Sequence, residues 1–270
     1  MKRALEQGFQ HCEVYFESAK NFEVLVLEGE VSHYENSSQI GICFRGIYNG
    51  NMGYAYATTI DEEIIDYIIQ QSKENAEVTE ETEKEVIFEG SNYYTQIDSY
   101  NENLNMLSPE QKMEAAKEME KGALQEYEQV SIDYCVLQTI DKTIALSNSK
   151  GLSLCHRKNG IVANISTIAQ QNGDVKTASE DWINNDWSTF YPQEIGRKAG
   201  QKAVSHLGAY SLESGEYRVL LENHVAAELL SAFAGIFYAE NVQKGVSLLS
   251  GKLKEKIASS KITIRDDGLL

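Results

Sequence analysis

The amino-acid sequence predicts an α+β protein, and three observations carry that prediction. Runs of β-branched and aromatic residues follow one another at hairpin spacing, broken by Asn, Gly and Ser. Between these groups stand segments whose apolar residues recur every three or four positions behind helix-capping residues. Strands and helices come in groups instead of alternating singly, which favours antiparallel sheets covered by helices over a parallel array. The 270 residues then divide into an N-terminal α/β block at 1–90, a second α+β block at 91–210, and 211–270, the start of a mostly β C-terminal domain.

The first block opens with a short helix between Arg3 and His11, followed by strand-like runs Glu13–Glu17 and Phe22–Leu27. Glu28-Gly29-Glu30 is a turn, and Val31–Glu35, Gln39–Tyr48 and Met52–Ala57 continue the meander, with Asn49-Gly50 as a hairpin signal because both residues tolerate positive φ. Thr59-Ile60-Asp61-Glu62 has the pattern of a capping box, and Ile64, Ile65, Ile68 and Ile69 give the helix behind it an apolar stripe. The glutamate-rich run from Glu77 to Glu89 reads as a solvated connector.

Ser108-Pro109-Glu110-Gln111 is a second capping box, opening a helix that runs to about Tyr127. Five strand-like runs follow, at Ser131–Ile140, Thr143–Ser147, Leu152–Arg157, Ile161–Gln170 and Val175–Asn184, with hairpin turns at 148–151 and 171–174. Pro192 opens a helix striped by Ile195, Ala199, Ala203 and Leu207 and stopped at Gly208. In the third block a strand is expected at 215–221, a helix from about His224 to Glu240 striped by Val225, Leu229, Phe233 and Phe237, and a strand at Lys261–Arg265. That last strand meets a turn signal with no partner behind it, so the chain reads as truncated in its C-terminal domain.

Composition narrows the function. Asp and Glu number 41 against 24 Lys and Arg, a formal charge of −17, which disfavours nucleic acid and anionic membrane surfaces alike. The longest apolar stretch, Val225 to Ala239, contains Glu228 and is too short to span a bilayer, and no secretory signal opens the chain. Cys12, Cys43, Cys135 and Cys155 form no C-x-x-C pair and read as buried thiols of a reducing compartment, which places the protein in the cytoplasm.

Possible sites are sparse. His11, Cys12 and Glu13 are adjacent, but neighbours on a strand point to opposite faces and cannot converge on one ion. Cys155-His156 meets the same objection and reads as a buried thiol beside an exposed His. His33 and His206 are isolated, and Asn164-Ile165-Ser166 is a glycosylation sequon without a secretory context. The glycines between Gly46 and Gly53 lack the Lys-Ser/Thr of a phosphate loop. His224 and Glu228 share one side of a helix, yet two ligands fall short of the three of a catalytic zinc. No catalytic, cofactor-binding or metal-binding residue is assigned.

The third block carries a resemblance. Gly245-Val246-Ser247-Leu248-Leu249-Ser250-Gly251-Lys252-Leu253, then Ile257-Ala258-Ser259 and Ile264-Arg265-Asp266-Asp267-Gly268, resemble the TldD/PmbA family in letters and spacing, and the turn Asn148-Ser149-x-Gly151 agrees. The resemblance implies a cytoplasmic metalloprotease of two similar subunits, TldD and PmbA (or TldE), that degrades unstructured peptides. An older family label is modulator of DNA gyrase, and the acidic charge here gives it no physical support. The TldD-type subunit carries H-E-x-x-x-H, two metal-binding histidines and a glutamate that activates water. The corresponding positions here, counted back from Ser250-Gly251, are Leu230, Ser231 and Gly235, and the motif occurs nowhere in the chain. The family's further C-terminal ligand is expected beyond Leu270.

The resemblance therefore implies a non-catalytic PmbA/TldE-type subunit, inactive alone, with zinc on a TldD-type partner and an unstructured peptide as substrate. A homodimer is the alternative assembly. Two other functions stand beside it: a metallopeptidase with a relocated site at His224 and Glu228, and a peptide-binding or scaffolding module without activity. The bare stripe at Val225, Leu229, Phe233 and Phe237 is expected to leave the C-terminal end sticky or misfolded, at roughly 1.5–3 kcal/mol per large apolar side chain left unburied.

Overall fold

The computed structural model describes residues 1–79 and 85–269, so part of the glutamate-rich run (80–84) lies outside the described residues. It is α+β, and two compact units account for it, 1–209 and 210–269.

In the first unit, helix α1 (Lys2–Glu6) leads into β1 (His11–Leu27), β2 (Glu30–Tyr48) and β3 (Asn51–Ala57). Helix α2 (Glu62–Val78), a one-turn α3 (Glu102–Asn105) and α4 (Pro109–Leu124) follow. Then come β4 (Val130–Asn148), β5 (Ser153–Gln171), β6 (Asp174–Asn184) and α5 (Pro192–Ser205). The meanders of both blocks form one antiparallel sheet in the order β3-β2-β1-β4-β5-β6, because β1 pairs with β4 from Glu13↔Asn148 to Val26↔Cys135. Both blocks therefore lie in one compact unit built on one sheet.

The strands are longer than the runs suggested. Asp141-Lys142, which looked like a break, stays in the β4 ladder opposite Lys20 and Ala19, so the five runs are three strands. The two runs of β1 likewise join into one strand through Ser18–Asn21. The hairpin turns are as expected: Glu28 and Gly29, Asn49 and Gly50, and Asn172 and Gly173 all hold positive φ. Helix α4 begins with a complete capping box, Ser108 and Gln111 bonding each other's backbone N–H groups. The other box is corrected: Asp61, not Thr59, caps α2, its carboxylate accepting from Ile64 N at 2.8 Å.

One face of the sheet carries the helices. Phe22, Val24 and Val26 of β1, Leu137 of β4 and Ile161 and Ile165 of β5 bury against α4 and α5. Phe44 packs with Ile68 and Ile69 of α2 and with Phe9, whose ring meets Phe44 edge-on at 5.3 Å. Helices α4 and α5 touch backbone to backbone: a Cβ at Gly196 would lie 1.8 Å from Met119 O, and one at Gly122 would lie 2.2 Å from Gln193 O. The buried carboxylate of Glu120 on α4 accepts the backbone N–H groups of Glu28 and Gly29, both at 2.7 Å, and so ties that helix to the β1–β2 turn.

The second unit has α6 (Asn223–Ala232), a 3₁₀ turn at Ala234–Phe237 and α7 (Ala239–Gln243), so the expected helix from His224 to Glu240 is broken into three. Gly235 stands in the break. The strands expected at 215–221 and 261–265 do not form; both segments are irregular and mostly exposed. No described helix is long and apolar enough to cross a membrane.

Candidate functional site: an open sheet face and a helix without ligands

The sheet of the first unit turns one face away from the helices. Residues 85–90 cross one end of it, where Asn148 Nδ2 donates to Phe88 O at 2.7 Å and Tyr54 bonds the Glu85 carboxylate. In that row Glu13, 5% exposed, receives Arg45 Nη2 at 2.6 Å and Nε at 2.8 Å, and Asn148 Nδ2 at 3.2 Å. The register pairs Glu13 with Arg45 on one side and Asn148 on the other, so sheet pairing alone assembles the group. A buried carboxylate met this fully is a structural anchor, with its charge already compensated.

Farther along the same face lies a row of Tyr56, Cys43, Tyr15, Leu146 and Leu154, set side by side by the register. Tyr15, Gln39, Cys43 and Tyr56 line a cavity of about 280 Å³. Gln39 also lines the next one, about 330 Å³, with Asn21, Glu23, Glu35, Ser37 and Gln138. Tyr15 donates to Glu17 Oε2 at 2.6 Å, a bond that pushes the phenol up to about 12. Lys142 Nζ, 2.7 Å from Glu17 Oε1, holds that carboxyl below the usual carboxylate range, with Tyr15 assisting. The face thus offers hydroxyls, amides and partly neutralised carboxylates over an extended strip. That chemistry suits hydrogen bonding to a polypeptide.

The residues singled out in the sequence are dispersed. Cys12 is buried on the helix side, Glu13 lies on the other face, and His11 is exposed. His156 Nε2 bonds Ser99 Oγ at 2.9 Å, and Cys155, expected to be buried, is exposed. His33 is exposed, and His206 Nδ1 meets Thr177 O at 3.3 Å. Burial pushes up the thiols of Cys12, Cys43 and Cys135, the last to about 12. Asn164 bonds Asp181, and Ser166 donates to Asp133 Oδ2 at 3.1 Å, so the sequon lies within the sheet. Gly46 and Gly53 face each other across β2 and β3, and Gly53 gives α2 room: a Cβ there would sit 1.8 Å from Ser72 O.

In the second unit His224 and Glu228 are both exposed on α6, and no hydrogen bond joins them. Leu230 and Ser231 follow on the same helix and Gly235 on the 3₁₀ turn. Among the described residues, no group of three or more His, Cys, Asp or Glu is placed to hold a metal ion. The side chains present do not fit a metallopeptidase's metal: leucine has no lone pair, glycine no side chain, and serine is a poor zinc ligand. The open sheet face, which no motif announced, was legible only as the polar half of each strand's alternation.

Comparison with known proteins covers nearly the whole chain. Three family models match in order: PmbA/TldA metallopeptidase domain 1 at residues 12–76, the central domain at 102–207 and the C-terminal domain at 214–270. An uncharacterized protein of Methanocaldococcus jannaschii is 29% identical over 98% of this chain and 60% of its own length. A metalloprotease of Methanothermobacter thermautotrophicus is 37% identical over 76 residues, 28% of this chain and 17% of its own. Among solved structures, a Thermotoga maritima protein named for modulation of DNA gyrase superposes with a TM-score of 0.86 at 24% identity, covering 94% of this chain and 57% of that one. TldE from Thermococcus kodakarensis gives 0.77 at 19% identity, over 93% and 57%. The chain therefore spans about three fifths of the M. jannaschii relative and of both solved structures. These matches, domain after domain in one order, place the chain in the PmbA/TldD family of metallopeptidase-like proteins.

Proposed function

We propose that this chain is a non-catalytic, PmbA/TldE-like subunit of a cytoplasmic metal-dependent peptidase, acting on unstructured peptides with a TldD-type partner that carries the zinc. The observation that carries the reading is the occupation of the three motif positions by Leu230, Ser231 and Gly235 in a chain otherwise covered by the family's domains. None of these residues can ligate zinc well or serve as a general base, so water activation falls to the partner. This chain's contribution is to hold the substrate extended, through hydrogen bonds from the hydroxyls and amides of the open sheet face.

The test is reconstitution with a TldD-type subunit and a labelled unstructured peptide. Cleavage is expected in the mixture, at a rate well above that of the partner alone, and abolished by a chelator. Chelator-sensitive cleavage by this chain alone would contradict the proposal and direct attention to His224 and Glu228. Binding of peptide with no enhancement by any such partner would instead assign the chain as a binding module.

A further inference from the structure

The sheet's edges are managed unequally. On β3 the outward carbonyl of Tyr54 accepts Asn75 Nδ2 from α2 at 2.7 Å. On β6, His206 meets Thr177 O at 3.3 Å and Lys202 meets Ser179 O at 3.4 Å, both from the α5 end. Where β5 runs on beyond β6, the segment just before α3 covers it, Asn159 N donating to Ser99 O at 3.2 Å. The exception is β2. Its pairing with β3 stops at Ile42↔Ala57, and from Gly41 back to Glu30 no described strand or side chain takes that edge.

The ladder fixes which groups are free. The two-residue hairpin at Asn49-Gly50 makes Tyr48 and Asn51 a bonded pair, so the even-numbered residues of β2 turn their N–H and C=O towards β3. Beyond β3 that leaves the backbone groups of Tyr34, Asn36, Ser38 and Ile40 facing outward. Such an edge invites a further strand unless charge or proline blunts it. Between Val31 and Ile40 there is no Pro, Lys or Arg, and Glu35 is the one carboxylate.

Glu35 also stands directly opposite Glu23, an unfavourable like-charge pair, in the 330 Å³ cavity. No described cation pairs with either. We propose that the free edge of β2 between residues 30 and 41 accepts an extended, basic polypeptide segment as an added strand, with a Lys or Arg set between Glu23 and Glu35. A second copy of this chain fits poorly, since it would bring another −17 and another Glu35 to the same edge. The inference rests on the peptide-handling reading only for where the segment comes from; the binding itself needs no catalytic partner.

The test uses the full chain and a fluorescein-labelled ten-residue peptide of alternating Thr and Val with one central Lys, followed by anisotropy. Saturable binding is expected. Methylating alternate peptide amides on the bonding side should weaken it by at least about tenfold, because several ladder hydrogen bonds go at once. Ser38→Pro should do the same, since it removes an outward N–H at a position where an edge strand tolerates proline. Glu35→Gln, or Glu in place of the peptide's Lys, should cost roughly threefold or more and remove part of the salt dependence. If Ser38→Pro fails to fold, the methylated peptide decides alone. Equal binding of the methylated peptide, or no saturable binding, would overturn the proposal. So would a dimer that Ser38→Pro dissolves while the peptide stays unbound, which would give the edge to a second copy. Failure here leaves the reconstitution result standing, and the reverse holds too.

Discussion

The two units of this chain contain similar proportions of apolar text and treat it in opposite ways. Residues 1–209 bury Phe22, Val24, Phe44, Ile68, Leu137 and Ile165 to 5% exposure or less. Among the described residues of 210–269, Ser247 is the one that is buried, held by its Oγ bond to Ile236 O at 2.6 Å. Leu220 is 97% exposed and Leu253 88%. Of the expected stripe, Val225 and Leu229 lie on α6, Phe233 caps it and Phe237 ends the 3₁₀ turn, and each member stays between 41% and 53% exposed. A helix can be specified by its own sequence, but its burial, which supplies most helical stability, belongs to whatever packs against it. A strand depends even more on a partner, which is why 217–221 and 261–265 stay irregular.

Hydrogen exchange on the full chain gives the sharpest contrast. Amides of β1 and β4 should be slowed at least about 10³-fold relative to free peptide, while those of 210–269 exchange near free-peptide rates. Strong protection at 217–221 would break the comparison and mean that a partner strand forms in solution.

A smaller effect tests what makes the first unit tight. Gly196→Val should cost about 2–3 kcal/mol or more in denaturant unfolding, since α4 and α5 meet through backbone at that point. The matching change at Gly235, where only Asn241 Nδ2 comes near a Cβ, at 3.7 Å, should leave the transition of the first unit unmoved. Glu120→Ala should cost about 1.5–3 kcal/mol by releasing two charge-assisted bonds from the β1–β2 turn.

The smallest effect is electrostatic. Lys142 and Tyr15 lower the Glu17 carboxyl; Lys176 and the Gly208 N–H lower Asp174. A carboxyl lowered in the folded state adds stability above its unfolded pKa, and that contribution is lost as pH falls through the folded value. The unfolding midpoint of the first unit should therefore drop on acidification below about pH 4, and less steeply in Glu17→Gln. An unchanged slope would remove these ion pairs from the account.

What could be read from the sequence was local. The positive-φ turns, the Ser108 capping box and the Ile68–Ile69 stripe follow from neighbours a few residues apart, and the structure has them. The single sheet does not, because it depends on β1 pairing with a strand more than a hundred residues away, and nothing in either alternation names its partner. Thr59 lost the cap to Asp61 because two side chains compete for the same helix start and only backbone geometry chooses. The Glu13 group needed three strands in register, and the free edge of β2 appears only once it is known where β3 ends. The missing motif at Leu230, Ser231 and Gly235 was legible, since chemistry can be absent from a line of text without any fold.

The most direct test of the proposed role is zinc stoichiometry by elemental mass spectrometry, on chain purified without chelator or metal-binding tag. A subunit that leaves the metal to its partner should carry far less than one zinc per chain, unchanged by His224→Ala. About one tightly held zinc per chain, lost in His224→Ala or Glu228→Gln, would contradict it and make this chain a metallopeptidase in its own right.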